Sequence, residues 1–273
     1  IRGDISALRA EGDIVADVAE GSDESVDVAH DVAGRKVELI EPDFKKNGLF
    51  DFLEIVERHI GEFNVRANAD QGRDATLAND FKANGIGLCR TEHMFFNEKR
   101  IMKFREMIIA KNYEERLKVL EALKPMQRSD FYELFKIMAG KPVTIRLLDA
   151  PLHEFLPRTE ESMQEFIKYM QGRNKSLKAD EIRARCEELE EMNPMLGHRG
   201  CRVAVTYPEI YEMQCKAIFE AACMLKKEGI EVVPEIMIPL VGEVKELKYV
   251  KDIVTTTADR LIAEAGIDMK YYV

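Results

Sequence analysis

Three arginines follow or end short apolar runs, and their chemistry suits the binding of anions. Arg90 follows the run 86–89, Arg146 follows 143–145, and Arg199 follows 196–198. In parallel α/β folds the carboxyl ends of the strands line the active site, and guanidinium groups match phosphate and carboxylate. Three arginines on three strands therefore predict an anion-binding pocket. The alternative for any one of them is a surface or salt-bridged arginine.

Other polar residues near these runs are candidates of a second kind. Arg66 lies within a predicted strand, but alternation along that strand could direct its side chain to either face. Asp70, Glu92 and Asp149 follow the same strands, where they could orient the arginines or bind a metal. Pairing with a neighbouring arginine is the more common role for such carboxylates.

Histidine and cysteine side chains flank the same segments. His93, His153 and His198 lie in loops after predicted strands, where acid–base chemistry or phosphate transfer is conceivable but a structural role is more common. Cys89 and Cys201 lie beside the arginines without an identifiable basic partner, so we assign them to packing. The five cysteines form no CxxC pair, which favours a reducing compartment.

The elements that must position these residues alternate between strands and helices. This order indicates a parallel α/β sheet. A long helical insertion, 97–139, follows the second strand, and Pro125 is expected to break it. About five strands are predicted after Asn47, namely 63–67, 85–89, 142–148, a short strand around Gly197 within 195–205, and 231–240. On this count alone the sheet is either an open doubly wound sheet or an incomplete (β/α)8 barrel.

Composition narrows the class of protein. Fifty acidic and 40 basic residues give a formal net charge of −10, which argues against nucleic acid or an anionic membrane as a partner. No apolar run reaches the length of a membrane span, so we expect a soluble, cytoplasmic protein. Two regions are predicted: an acidic, valine-rich segment of uncertain structure at 1–47, and an α/β domain at 48–273.

Four strings in this domain are distinctive: GIGLCRTEHMFF at 85–96, PVTIRLLDAPLHEFLP at 142–157, NPMLGHRGCR at 193–202 and PEIMIPLVG at 234–242. They resemble the pyruvate, phosphate dikinase family of phosphoenolpyruvate (PEP)-utilising enzymes, in which they occur in the same order and at similar intervals. The resemblance runs from about Leu49 to Val273. The related PEP synthase and the phosphotransferase-system enzyme lack the second half of the string at 142–157, so these two families are less favoured.

The resemblance implies a TIM-type (β/α)8 barrel that binds PEP or pyruvate with Mg²⁺. It further implies that a swivelling domain exchanges a phosphohistidine phosphoryl group with this site, after ATP and phosphate have charged the histidine. Arg90 and Arg146 match the family's substrate-binding arginines, and Arg199 is a secondary candidate. A homodimer is expected from the same resemblance.

The family's later strands are not matched within these residues. They carry a glutamate ligand for Mg²⁺, a Gly-Thr-Asn-Asp motif with the second ligand, and the cysteine that protonates the enolate. We therefore expect an incomplete barrel with about five strands, metal ligands outside this chain, and no activity from the chain alone. The competing hypothesis is a non-catalytic anion-binding or scaffold module derived from such a barrel.

Overall fold

The computed structural model describes residues 28–30, 36–38, 46–189 and 197–273, which fall in two compact units, Ile1–Gly61 and Glu62–Val273. In the first unit, strand β1 (Val28–His30) pairs antiparallel with β2 (Lys36–Glu38). Helix α1 (Leu49–His59) follows in the same unit. The predicted boundary between residues 47 and 48 stays a prediction.

The second unit contains a four-stranded parallel sheet, which confirms the predicted α/β class. Its strands lie in the order β3-β4-β5-β6. Alternate residues such as Val143 and Ile145 are fully buried, whereas Thr144 between them is half-buried. One face of the sheet is thus covered and the other is more open. The strands are β3 (Ala67–Asn68), β4 (Ile86–Arg90), β5 (Pro142–Arg146) and β6 (Val233–Met237).

Eight helices of this unit lie in the described part of the chain. Of the described helices, none combines the length and apolar character that crossing a bilayer requires. Helix α4 packs against α8, and α8 packs against α9. Two 3₁₀ segments lie after strands of the sheet: Thr91–Phe95 directly follows β4, and Leu152–Phe155 follows β5 after the five residues 147–151. The helices are α2 (Gly72–Asp80), α3 (Glu98–Ile109), α4 (Tyr113–Ile137), α5 (Glu160–Arg173), α6 (Ala179–Glu188), α7 (Cys201–Thr206), α8 (Pro208–Lys227) and α9 (Val244–Ala265).

The short strand predicted around Gly197, within 195–205, is wrong where the structure describes it, because residues 197–200 form no strand. Residues 201–206 form helix α7, and β5 pairs directly with β6, with Ile145 opposite Ile236. The adjacent residues Val203 and Ala204 are both fully buried, which an alternating strand with one covered face does not allow. Residues 195 and 196 of that prediction lie outside the described residues.

The predicted break at Pro125 is also wrong, because α4 runs through it without interruption. The long insertion instead divides before Tyr113, where Asn112 Oδ1 accepts the backbone N–H of Glu115 at 2.9 Å and caps α4. An internal proline costs about 3 kcal/mol. Burial of apolar side chains such as Leu123 and Phe131 offsets that cost.

An ion pair joins the two edges of the sheet across its open face. Arg66, just before β3, binds both carboxylate oxygens of Glu235 on β6, at 2.5 and 3.2 Å. Thr144 on β5 donates to the same carboxylate at 2.6 Å. A flat sheet would separate these edge strands by about 14 Å. The contact therefore shows that the open face is concave, and Gly87 on β4 leaves room for Arg66 to cross, since a Cβ there would lie 3.1 Å from Arg66 Cβ.

This ion pair predicts a pH-dependent contribution to stability. Burial raises the pKa of Glu235, but the hydrogen bonds from Arg66 and Thr144 outweigh burial and hold that pKa below its ordinary value. A depressed folded-state pKa stabilises the fold above the unfolded pKa of about 4.3, and this contribution is lost as the pH falls through the folded value. We expect Glu235→Gln to lower the free energy of unfolding by about 1 kcal/mol at pH 7, and by less at pH 3.

Urea unfolding at both pH values measures this difference. Glu121→Gln is the matched control, because Glu121 is exposed on α4 and forms no ion pair among the described residues. An equal loss of stability at pH 7 and pH 3 in Glu235→Gln would contradict the prediction.

Candidate functional site

The first two predicted arginines are neighbours at the carboxyl edge of the sheet. Arg90 ends β4 and lies in register with Arg146, which ends β5. Register partners on parallel strands direct their side chains to the same face of the sheet. That face is the concave one, since Arg146 and Thr144 are separated by one residue on the same strand.

Arg146 lies between two buried carboxylates. One guanidinium nitrogen, Nη2, forms an ion pair with Glu92, and Nη1 lies 3.1 Å from Asp149 Oδ2. Both acids are only 5% exposed, so each requires a cation or donor nearby. The Nε atom of Arg146 is buried and has no partner among the described residues. Arg146 is therefore held in place by two carboxylates, while its buried Nε–H has no partner among the described residues.

Arg199 joins the same cluster although it does not lie on a strand. Its Nε donates to the backbone oxygen of Asp149 at 3.0 Å, and its Nη2 donates to Asp149 Oδ2, also at 3.0 Å. The next residue, Gly200, has φ of +61°, and a Cβ there would lie 2.7 Å from Leu240 Cβ and 3.1 Å from Asp149 Oδ1. Only glycine fits this position. Asp149 is thus shared by two arginines.

Arg90 differs from the other two arginines because its guanidinium has no ion-pair partner in the described part of the chain. Its backbone N–H donates to Asp70, and the second oxygen of that carboxylate lies 2.7 Å from His93 Nδ1. Asp70 therefore fixes the backbone of Arg90 without neutralising its side chain. A half-buried guanidinium without a carboxylate partner is suited to binding an anion.

Comparison with known proteins identifies the family of this chain. A family model described as "PEP-utilising enzyme, PEP-binding domain" matches residues 47–273. The chain belongs to the PEP-utilising enzymes. The predicted resemblance is thereby confirmed, and the match covers the whole sheet of this PEP-binding domain and the arginines at its carboxyl edge.

Three relatives of the PEP-binding domain carry the same name. The chain is 55% identical over 214 residues to pyruvate, phosphate dikinase of Treponema pallidum (strain Nichols), which covers 78% of this chain and 24% of the relative. The Clostridium symbiosum enzyme is 50% identical over 228 residues, covering 83% and 26%. The chloroplastic enzyme 1 of Arabidopsis thaliana is 49% identical over 214 residues, covering 78% and 22%. The chain spans about a quarter of the length of these relatives.

Arg66 and the histidines were also predicted from the sequence as candidate site residues, and they lie at other positions in the PEP-binding domain. Arg66 is paired with Glu235 below the arginine edge. His153 lies in the 3₁₀ segment after β5, and His198 Nε2 lies 3.0 Å from Thr206 Oγ1. A catalytic role for these histidines or for His93 stays untested.

The two cysteines beside the arginines are core residues, in agreement with the prediction. Cys89 and Cys201 are fully buried and form no disulfide. Burial raises the pKa of both thiols, and nearby carboxylates, Asp70 for Cys89 and Glu246 for Cys201, raise it further. Neither thiol is therefore suited to act as a thiolate nucleophile.

The described residues of the PEP-binding domain do not fit a Mg²⁺ site by themselves. Among them no group of three or more His, Cys, Asp or Glu side chains could hold a metal. The acids nearest the arginines, Glu92 and Asp149, already accept from guanidinium groups. Mg²⁺ prefers carboxylate oxygens and water in octahedral geometry, which these paired acids do not offer.

Sequence reasoning missed the polar residues of α8 that contact the strand ends. Tyr211 and Gln214 are fully buried, and both are hydrogen-bonded to the loop after β5. A polar pair three residues apart on the apolar face of a helix was the available signal. Thr91, directly after Arg90, is also fully buried and bonds to Gln214.

Proposed function

We propose that this domain holds PEP or pyruvate at the carboxyl edge of its sheet, as part of a pyruvate, phosphate dikinase. That enzyme interconverts ATP, phosphate and pyruvate with AMP, diphosphate and PEP. The observation that supports this most is the register pairing of Arg90 with Arg146, with the Arg90 guanidinium unpaired among the described residues. The chain contributes the arginine part of the site and is inactive alone.

The arginines would recognise the two charged ends of PEP. Its phosphate and carboxylate both accept forked hydrogen bonds, which guanidinium groups provide in a fixed plane. Arg90 would supply a guanidinium group that has no ion-pair partner among the described residues, and Arg146 would supply a second, rigidly held cation beside it. Rigidly held cations next to a transferring phosphoryl group stabilise the charge that moves in the transition state. Arg199 would act through Asp149, which it shares with Arg146.

The fold we propose is an incomplete (β/α)8 barrel rather than an open sheet. Two observations support it: the contact of Arg66 with Glu235 across the concave face, and the extension of the sheet at its β6 edge. There the backbone N–H of Ile236 donates to the Tyr272 oxygen at 2.8 Å, and Tyr272 N–H donates to the Pro234 oxygen at 3.0 Å. Each barrel strand needs such a parallel neighbour on both sides.

The partners we propose follow from membership of this family. Mg²⁺ would be held by residues other than those described. A phosphohistidine on a swivelling domain of the same protein would exchange its phosphoryl group with PEP, and ATP would bind to a further domain. We propose a homodimer in the cytoplasm, although some relatives are named chloroplastic. The buried, unpaired cysteines agree with a reducing compartment.

Calorimetric titration of the intact protein with PEP and with oxalate tests this function. We expect the wild-type protein to bind both anions, and the double variant Arg90→Ala/Arg146→Ala to lose more than about 100-fold in affinity. Arg158→Ala is the control, because Arg158 is exposed and lies in the segment after β5. Unchanged binding in the double variant would refute the site.

A second measurement separates the dikinase from a non-catalytic anion-binding module. The dikinase forms ATP, pyruvate and phosphate from PEP, AMP and diphosphate. A scaffold module would bind PEP with the same dependence on Arg90 and Arg146 but would produce no ATP.

A further inference from the structure

A buried glutamine on α8 connects the two loops that follow the arginine strands. We infer that Gln214 is a positioning residue that sets the separation between Arg90 and Arg146, and that Thr91 transmits its effect. The inference rests on the proposed function, because it concerns how the same arginines receive PEP. It adds residues that contact neither the ligand nor the guanidinium groups.

The Gln214 side chain is fully buried, and both its amide nitrogen and its amide oxygen are hydrogen-bonded. Nε2 donates to Thr91 Oγ1 at 3.0 Å, and Oε1 accepts the backbone N–H of Leu148 at 2.9 Å. Thr91 Oγ1 in turn donates to the backbone oxygen of Arg146 at 3.0 Å. These hydrogen bonds connect Thr91, the residue after Arg90, to the main chain at Arg146. They also connect both loops to helix α8.

The donors and acceptors in this network allow only one arrangement. A backbone N–H can only donate, so the Gln214 oxygen must face Leu148. The Thr91 hydroxyl gives its single hydrogen to the Arg146 oxygen, so it must accept from the Gln214 amide. Because each partner has only one role, the network fixes the relative position of the two loops and does more than fill a core.

Tyr211 also binds the second loop, the one that follows β5. Its hydroxyl donates to the backbone oxygen of Leu148 at 2.6 Å, so both main-chain polar groups of Leu148 are bound by α8. Asp149 follows Leu148 directly and binds both Arg146 and Arg199. Helix α8 therefore controls the arginine cluster through Leu148 and Asp149, as well as through Thr91.

Loss of this network should leave the arginines present but displaced. An anion held by two guanidinium groups depends on their spacing, and a misplacement of about 1 Å costs up to roughly 100-fold. We expect Gln214→Leu to weaken PEP binding by about 10- to 100-fold. Thr91→Val, which keeps the side-chain volume but removes the hydroxyl, should give a similar loss, and Thr91→Ser should restore most of the affinity.

The test is calorimetric titration of the intact protein with PEP, using these variants and Gln127→Leu. Gln127 is the matched control because it is another fully buried glutamine, on α4, whose amide Nε2 lies 3.9 Å from Met94 Sδ and forms no hydrogen bond with Thr91 or Leu148 among the described residues. Each variant is also made in the Arg90→Ala background. A residue that acts by placing Arg90 should lose most of its effect there, whereas a general loss of stability should add to the loss from Arg90→Ala.

Wild-type affinity in Gln214→Leu, or strict additivity with Arg90→Ala, would overturn the inference. If Gln214→Leu does not fold, the comparison of Thr91→Val with Thr91→Ser decides, and equal affinities in those two variants overturn it. Failure of the proposed function gives a different result, because the wild-type protein itself would then not bind PEP.

Discussion

Replacing Arg146 with alanine is expected to lower both the stability of the domain and its affinity for PEP. Glu92 and Asp149 are almost completely buried, and both are paired with the Arg146 guanidinium. Removing the cation from a buried pair typically costs about 3–5 kcal/mol, because a carboxylate stays behind without compensation. We expect a loss near the lower end, about 3 kcal/mol, because Asp149 keeps its pairing with Arg199.

Urea unfolding of Arg146→Ala and of Arg158→Ala measures this effect. The exposed Arg158 should change the free energy of unfolding by less than about 0.5 kcal/mol. The triple variant Arg146→Met/Glu92→Gln/Asp149→Asn removes the charges together and should recover part of the lost stability, since no buried carboxylate is left. If Arg146→Ala unfolds at the same urea concentration as the wild-type protein, the buried cluster does not have the role assigned to it.

Arg90→Ala is expected to have the opposite profile: a large loss of PEP affinity with little change in stability. The Arg90 guanidinium has no ion-pair partner among the described residues, so its removal leaves no carboxylate unpaired. An arginine that forms charge-assisted hydrogen bonds with a ligand contributes about 2–5 kcal/mol, and we expect affinity to fall by about 100-fold. The free energy of unfolding should change by less than about 0.5 kcal/mol.

Titration with PEP and unfolding of the same sample test both halves of this expectation. Arg90→Lys is the informative companion, because lysine keeps the charge but loses the planar fork. It should bind PEP more tightly than Arg90→Ala and less tightly than the wild-type protein. A loss of stability as large as that of Arg146→Ala would show that Arg90 is instead a structural cation.

The sequence carried enough information to predict the arginine edge. Short apolar runs at 86–89 and 143–145 are typical of buried parallel strands, and Arg90 and Arg146 follow them directly. Parallel strands place such residues at one edge regardless of the helices between them. For Glu92 and Asp149 the sequence left two roles open, pairing with an arginine or binding a metal, and the structure shows both acids paired with Arg146.

The secondary-structure predictions that were wrong concern segments whose structure depends on tertiary contacts, which local sequence patterns do not encode. A short strand was predicted around Gly197, yet residues 197–200 form no strand and helix α7 follows them, with Val203 and Ala204 both buried in the core. Pro125 breaks an isolated helix, but α4 continues because its buried face packs against α8.

Two features of the site itself had no reliable local signal. Arg199 was expected at the end of a strand and reaches the cluster from the turn before α7. Gln214 lies 123 residues from Thr91 in sequence, so only the folded chain brings them together.

The most direct test of the site is a crystal structure of the intact protein with PEP bound. We expect oxygens of the PEP phosphate or carboxylate about 2.9 Å from the Arg90 guanidinium, with the Arg146 guanidinium beside them, at the carboxyl ends of β4 and β5. The ion pairs of Arg146 with Glu92 and Asp149 should be preserved. PEP bound away from this edge, with Arg90 in contact only with solvent, would contradict the proposed site.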